Sequence, residues 1–150
     1  MKKEIYVIAH NIRSLHNIGS FFRTSDGAGV SKIFLTGYSG CPPRKEISKT
    51  AIGAEEWIPW EHHKDPLPLI KKLKKNGVQI VSLEKNNESI DINSFSPKYP
   101  TCLIVGNEID GVGDEQLQLS DAVVEIAMNG KKESLNVSVA FGIAVYSLIS

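Results

Sequence analysis

The chain has no hydrophobic run that approaches the ~20 residues needed to cross a bilayer, which excludes a helical membrane protein. It has no opening segment that joins a basic start to an apolar core and a small-residue cleavage site, so a soluble cytoplasmic protein is expected. Cysteine is scarce. Only 2 of the 150 residues are Cys, Cys41 and Cys102, and they are too far apart in sequence to form a metal-ligand pair. Cys102 sits in an apolar run and is expected to be a buried thiol, so neither a disulfide scaffold nor a zinc module is in view. His62 and His63 are adjacent and no further ligand stands at zinc-like spacing, so no metal site is expected. Net charge is also missing, because 17 Lys and Arg balance 17 Asp and Glu. No chain-wide field would then draw in a polyanion, and any nucleic-acid partner must meet a local patch. The dense cluster is Lys71, Lys72, Lys74 and Lys75, which equally suits a solvated helix end. Finally, the chain lacks a phosphate-binding P-loop, a G-x-G-x-x-G fingerprint and a G-x-S-x-G nucleophile elbow.

With 41% hydrophobic residues, the sequence can build one core, and a single domain is expected. Short apolar runs at 4–9, 32–35, 78–83, 101–105 and 122–126 have strand character. Helical stretches lie between them at 17–28, 43–51 and 66–75. The last is well bounded: Asp65 can cap it, Pro66 suits the first helical position, and Gly77 follows its end. The alternation predicts an α/β fold with a parallel sheet covered on both faces. Residues 86–100, polar and broken by Pro97 and Pro100, are predicted to form a surface linker. Trp57 and Trp60, around Ile58 and Pro59, suit a packed edge. A final helix carries Val137, Ala140, Phe141, Ala144, Val145 and Leu148 at helical spacing.

Three segments hold more Gly, Asn, Ser and charge at strand ends than folding alone demands. The first is HNIRSLHNIGSFFRTSDGAGV at 10–30, where a helix is expected to open around Asn17 with Arg23 two turns in. Ligands collect at the carboxyl ends of strands in open α/β sheets, so this is the right edge for a site. Position alone also admits a helix cap at Asn17 and a surface arginine. The second is LIVGNEIDGVG at 103–113, an apolar strand breaking into glycines that let a backbone approach a ligand, or merely a turn with a cap at Asp114. The third is EIAMNGKKESLNVSV at 125–139. There Ser134 and Asn136 stand at a helix entrance whose free amides suit a polar ligand, or Ser134 only caps the helix.

Taken in order, HNIGSFFRTSDGAGV, LIVGNEIDGVG and IAMNGKKESLNVSVAFGIAVY resemble the three motifs of the SpoU, or TrmH-like, branch of the SPOUT RNA methyltransferases. The resemblance runs from Ile5 to the C-terminus, and SLNVSVA is its most specific part. It implies a single-domain parallel-sheet SPOUT fold with a C-terminal deep trefoil knot, an exception to the rule that chains avoid knots. It implies S-adenosyl-L-methionine held by the second and third motifs, which places cofactor contacts on Leu103, Ile104, Val105, Gly106, Glu108, Ile126, Met128, Ser134, Leu135 and Asn136. Arg23 corresponds to the family's central catalytic residue, with Asn17, Glu108, Ser134 and Asn136 completing the polar site. The reaction implied is 2′-O-methylation of an RNA ribose.

A guanidinium is a poor base, so Arg23 is expected to clamp the phosphate beside the target ribose, with proton relay as the alternative, while Asn17 holds Arg23 or the sugar. The RNA is expected to be tRNA or rRNA, with tRNA favoured because compact relatives act on it. The 150 residues show no separate RNA-binding domain. Ile143 and Ile149 widen the apolar surface of the last helix beyond one stripe, and relatives are dimeric, so a homodimer is expected. The competing reading is a non-catalytic RNA-binding or assembly protein that retains the knotted pocket. The intact polar set argues against it.

Overall fold

The computed structural model describes residues 2–150 and contains one seven-stranded sheet. In chain order the elements are β1 (Ile5–His10), α1 (Leu15–Ala28), β2 (Lys32–Thr36), α2 (Lys45–Ala51), β3 (Trp60–His63), α3 (Pro66–Lys75), β4 (Gln79–Leu83), β5 (Ile90–Asp91), β6 (Thr101–Gly106), α4 (Asp114–Leu119), β7 (Ala122–Glu125) and α5 (Val137–Ile149). Every strand pair is parallel and the spatial order is β3-β2-β1-β6-β4-β7-β5. All strand carboxyl ends therefore share one edge. The chain moves outward from β1 through β2 and β3, then crosses to the other half, so β1 and β6 flank the switch point where the loops after them part.

Period-two alternation splits the core into two layers. From β1, Ile5, Val7 and Ala9 face one side with Leu103 and Val105 of β6, where α1, α2 and α5 cover them. Ile8, Cys102 and Ile104 face the other side, under Leu69 and Ile70 of α3. Helices α1 and α5 lock together through Phe21 and Phe141, whose rings stack 4.2 Å apart at 3°. Cys102 is fully buried, and burial pushes its thiol well above the ordinary range, which keeps it an unreactive core group.

Local chemistry explains where the ends fall. In α3 the Asp65 carboxylate accepts from the Leu67 amide at 3.0 Å and Pro66 takes the first turn, as predicted. Helix α1 opens at Leu15 and not at Asn17, because Ser14 Oγ accepts from the Asn17 amide and is the cap. Helix α5 is capped by Asn136, whose Oδ1 accepts from the Ser138 amide at 2.9 Å, and not by Ser134. Asp114 is the first helical residue of α4, after Gly113 in the cap position. The second helix begins at Lys45, two residues past the predicted Pro43. Residues 86–100 are not only a surface linker: they hold the two-residue strand β5, which pairs with β7 at the sheet edge, and a single helical turn at Ile92–Ser94 that buries Ile92 in the core. Trp60 belongs to edge strand β3 and packs on the core, whereas Trp57 is 59% exposed and donates from Nε1 to Asp26.

Candidate functional site

The loops that follow β4, β6 and β7 converge with the start of α5 on one cleft of about 260 Å³. Each wall has a specific cause. At the end of β6, a Cβ on Gly106 would lie 2.1 Å from the carbonyl oxygen of Gly111, so only glycine lets the strand pass under the returning loop. That loop is folded by Asn107, which is 4% exposed and uses both ends of its amide. Its Oδ1 accepts from the amides of Ile109 at 2.9 Å and Asp110 at 2.7 Å. Its Nδ2 donates to the Asn11 carbonyl at 3.0 Å and to the Tyr38 hydroxyl at 2.8 Å. Asn107 thus ties the loop after β6 to the loop after β1.

The loop's far end is held from β4. Glu84 Oε2 accepts from the Val112 amide at 2.9 Å, and it lies so close to Gly111 (φ 63°) that any side chain there would strike it. On the opposite wall Ser89 Oγ donates to Glu125 Oε1 at 3.1 Å, joining the loop after β4 to the end of β7. Asn136 Oδ1 is committed to the Ser138 amide and hydroxyl, which leaves its amide nitrogen available to a ligand.

Leu83, Val105, Ile126, Leu135, Val137 and Ala140 give the cleft apolar walls. Its charge is one-sided: Glu84, Glu108, Asp110, Glu125 and Glu133 line it against Lys85 alone. A flat heterocycle between apolar walls and a cationic group among carboxylates are what such a cleft accommodates.

Of the residues expected to hold a cofactor, Val105, Gly106, Glu108, Ile126, Met128, Ser134 and Leu135 line the cleft. Leu103 and Ile104 do not. They are fully buried in β6 on opposite faces of the sheet, one in each core layer. Asn136 stands just beyond, at the cap of α5. Asn17 lies in the first turn of α1, at the carboxyl edge, and Arg23 is exposed six residues further along. That spacing carries Arg23 about 9 Å down the helix axis, and neither residue lines the cleft of its own chain. Sequence reasoning missed Glu84, Asn107 and Glu125. The one signal for Glu84 was a carboxylate directly after the apolar run of β4.

The lysine cluster lies elsewhere. Helix α3 runs back against the strands, so its last turn sits at the amino edge, opposite the cleft. Lys74 is used there structurally, donating to the Leu119 carbonyl at 2.6 Å and to Asp121 at 3.1 Å. Among the described residues, no group of three His, Cys, Asp or Glu is arranged to hold a metal ion, and no helix is long and apolar enough to cross a membrane.

A parallel α/β sheet whose carboxyl-edge loops enclose an acidic, apolar-walled cleft defines an α/β domain with a small-molecule cleft at the carboxyl edge of its sheet. The particular kind follows from comparison. A model of the SpoU rRNA Methylase family matches residues 4–146, and the chain belongs to that family. A tRNA (guanosine(18)-2′-O)-methyltransferase of Aquifex aeolicus is 34% identical over 146 residues, 97% of this chain and 68% of that protein. The enzyme of the same name from Escherichia coli K12 is 29% identical, over 95% of this chain and 62% of its own length. Among solved structures, an AdoMet-bound rRNA methyltransferase from Sinorhizobium meliloti superposes with a TM-score of 0.91 at 29% identity, covering 98% of this chain and 56% of that one. The chain thus spans between about half and two thirds of the length of these relatives.

Proposed function

We propose that the chain is a cytoplasmic S-adenosylmethionine-dependent RNA 2′-O-ribose methyltransferase, with tRNA favoured over rRNA as substrate. The observation that carries the reading is the cleft. Its apolar walls suit an adenine ring, and its carboxylates suit a sulfonium and an ammonium. The named relatives supply the RNA class, two of them acting on guanosine 18 of tRNA by name. The 150 residues are proposed to form one methyltransferase domain whose last segment threads the family's trefoil knot.

S-adenosylmethionine supplies, when bound, a methyl group already activated on a positive sulfur. The chain's own task is to align a ribose hydroxyl with that methyl, while the hydroxyl proton leaves to solvent by way of the RNA phosphate that Arg23 holds. Val105, Gly106, Ile126, Met128 and Leu135 exclude water and shape the ligand, while Glu108 and Ser134 offer polar contacts at the mouth. Arg23, charged and exposed, serves best as a fork on the phosphate next to the reacting ribose, with Asn17 orienting the sugar or the arginine.

A second copy completes this site. Arg23 lies outside its own cleft, and α5 leaves a stripe of Val139, Ile143 and Tyr146 that is 50%, 42% and 47% exposed. These positions recur at helical spacing on a face its own core does not cover. Ala144, by contrast, is fully buried in its own chain, so Ile143→Glu and not Ala144→Glu probes the contact. Analytical ultracentrifugation is expected to show a dimer that this substitution dissociates, and a fully active wild-type monomer would exclude the shared site. The cofactor reading is tested by calorimetry with S-adenosylmethionine and its demethylated product. Folded protein that binds neither at about millimolar ligand would end it.

A further inference from the structure

The loop after β1 contains an arginine that is not part of the three-motif correspondence. Arg13 Nε donates to the Tyr38 hydroxyl at 3.1 Å, and its guanidinium carbon lies 5.5 Å from the centre of the Tyr38 ring. Tyr38 is itself held, because the same hydroxyl accepts from Asn107 Nδ2 at 2.8 Å and the Tyr38 amide donates to Asn11 Oδ1 at 3.0 Å. Asn11 is committed to this geometry, with a left-handed backbone (φ 53°) unusual for a residue with a side chain. The arginine is thus fastened by one nitrogen. Among the described residues its two terminal nitrogens have no hydrogen-bond partner and no carboxylate within 4.0 Å. An exposed arginine would ordinarily sweep freely through water, so a fastened one with its donors open is a prepared contact.

Its position gives the contact a purpose. Arg13 is at the carboxyl edge, where the charges of Asp110 and Glu108 reach it. The cleft beside it is lined by five carboxylates and one lysine, a field that repels a nucleic-acid backbone. The lysine cluster cannot offset this field, since it lies at the opposite edge.

We propose that Arg13 is a phosphate anchor for the RNA at the mouth of the cleft of its own chain, and that Tyr38 is the positioning residue that aims it. This rests on the methyltransferase reading above. Because the Tyr38 hydroxyl also bonds Asn107, an RNA phosphate on Arg13 steadies the same loop that carries Glu108. Substrate and cofactor sites are thereby joined through two side chains.

The test uses the full chain, bulk tRNA from a strain lacking its gene, and radiolabelled S-adenosylmethionine. Wild type that transfers no methyl and binds no RNA defeats the methyltransferase reading and, with it, the anchor. Given wild-type transfer, Arg13→Ala is expected to raise KM for tRNA by about tenfold with kcat within about twofold, and to reduce the slope of binding against salt by about one. Calorimetric affinity for S-adenosylmethionine without RNA is expected to stay as in wild type. Tyr38→Phe keeps the ring and removes the hydroxyl; it is expected to raise KM about threefold, again with unchanged kcat. Unchanged KM and salt slope in Arg13→Ala would overturn the proposal. So would a loss confined to kcat, or equal loss for Arg13→Ala in RNA and cofactor binding, which would mark a structural role.

Discussion

The two edges of one sheet spend similar residues on different ends. At the amino edge, charge is consumed by the fold: Lys74 closes on Asp121 and on the last carbonyl of α4, Asp121 also accepts from the Ile80 amide at 2.8 Å, and Lys3 reaches the carbonyls that end α5. At the carboxyl edge, part of the charge is left open. Glu108, Asp110 and Glu133 stand exposed around the cleft, while Glu84 and Glu125 each hold one contact between loops and Asn107 makes four of the bonds that fasten the rim. The richest cluster of charge in the sequence therefore lies away from the cleft. Parallel strands bring the loops after β4, β6 and β7 to a single rim, and the rim's chemistry comes from close backbone approach and unpaired carboxylates.

This contrast predicts a ranked set of effects. Arg23→Ala is expected to have the largest, a loss of methyl transfer of about a hundredfold or more, with cofactor affinity within about twofold, because the arginine lies outside the cleft. Single-turnover transfer and calorimetry would separate the two. Gly106→Ala comes next. The added methyl meets the Gly111 carbonyl, so overpacking is expected to cost about 1–3 kcal/mol in thermal or urea unfolding and to weaken cofactor binding about tenfold. At the other edge, replacing Lys71, Lys72 and Lys75 together by alanine is expected to leave kcat/KM for RNA within about twofold, since these side chains do not line the cleft and end a helix whose last turn lies at the opposite edge. A large loss would erase the distinction between the edges.

The smallest expected effect is a pH dependence at the end of β1. Burial holds His10 below the ordinary histidine range, opposed by the charge of Asp65, and its Nδ1 lies 2.8 Å from the Thr36 hydroxyl. The unfolded chain then takes up a proton before the folded one does. Stability contributed by neutral His10 is complete above the ordinary value of 6.5 and declines as pH falls below it toward the folded value. Melting temperatures between pH 7.5 and 5 should therefore fall more in wild type than in His10→Asn; parallel curves would show that His10 is not the source.

Much of this was legible in the residues. The Asp65, Pro66 and Gly77 punctuation gives α3 its limits because capping is local chemistry. The apolar runs gave five of the strands, and the second and third motif segments gave the loops after β6 and β7 that meet at the rim; the first segment does not line the cleft and the loop after β4 belongs to none of the three. What was hidden depended on tertiary context. Strand β3 reads WEHH, without the apolar alternation of a core strand, because it pairs on one side only. Ser134 and Asn136 are both good caps, and the burial of Val137 decides between them by fixing where α5 begins. Leu103 and Ile104 carry the strand that leads to the cleft, but their side chains are spent on the two core layers. The bonds of Asn107 to Asn11 and Tyr38 span 96 and 69 residues, and no local pattern announces them.

The most direct measurement is nucleoside mass spectrometry of total tRNA and rRNA from a strain lacking the gene, before and after treatment with the purified chain and S-adenosylmethionine. The expected result is one 2′-O-methylnucleoside, lost in the deletion strain, restored by the wild-type chain and not by Arg23→Ala. Restoration of a base-methylated nucleoside instead, or an unchanged set of 2′-O-methyl marks in the deletion strain, would contradict ribose methylation as the work of this cleft.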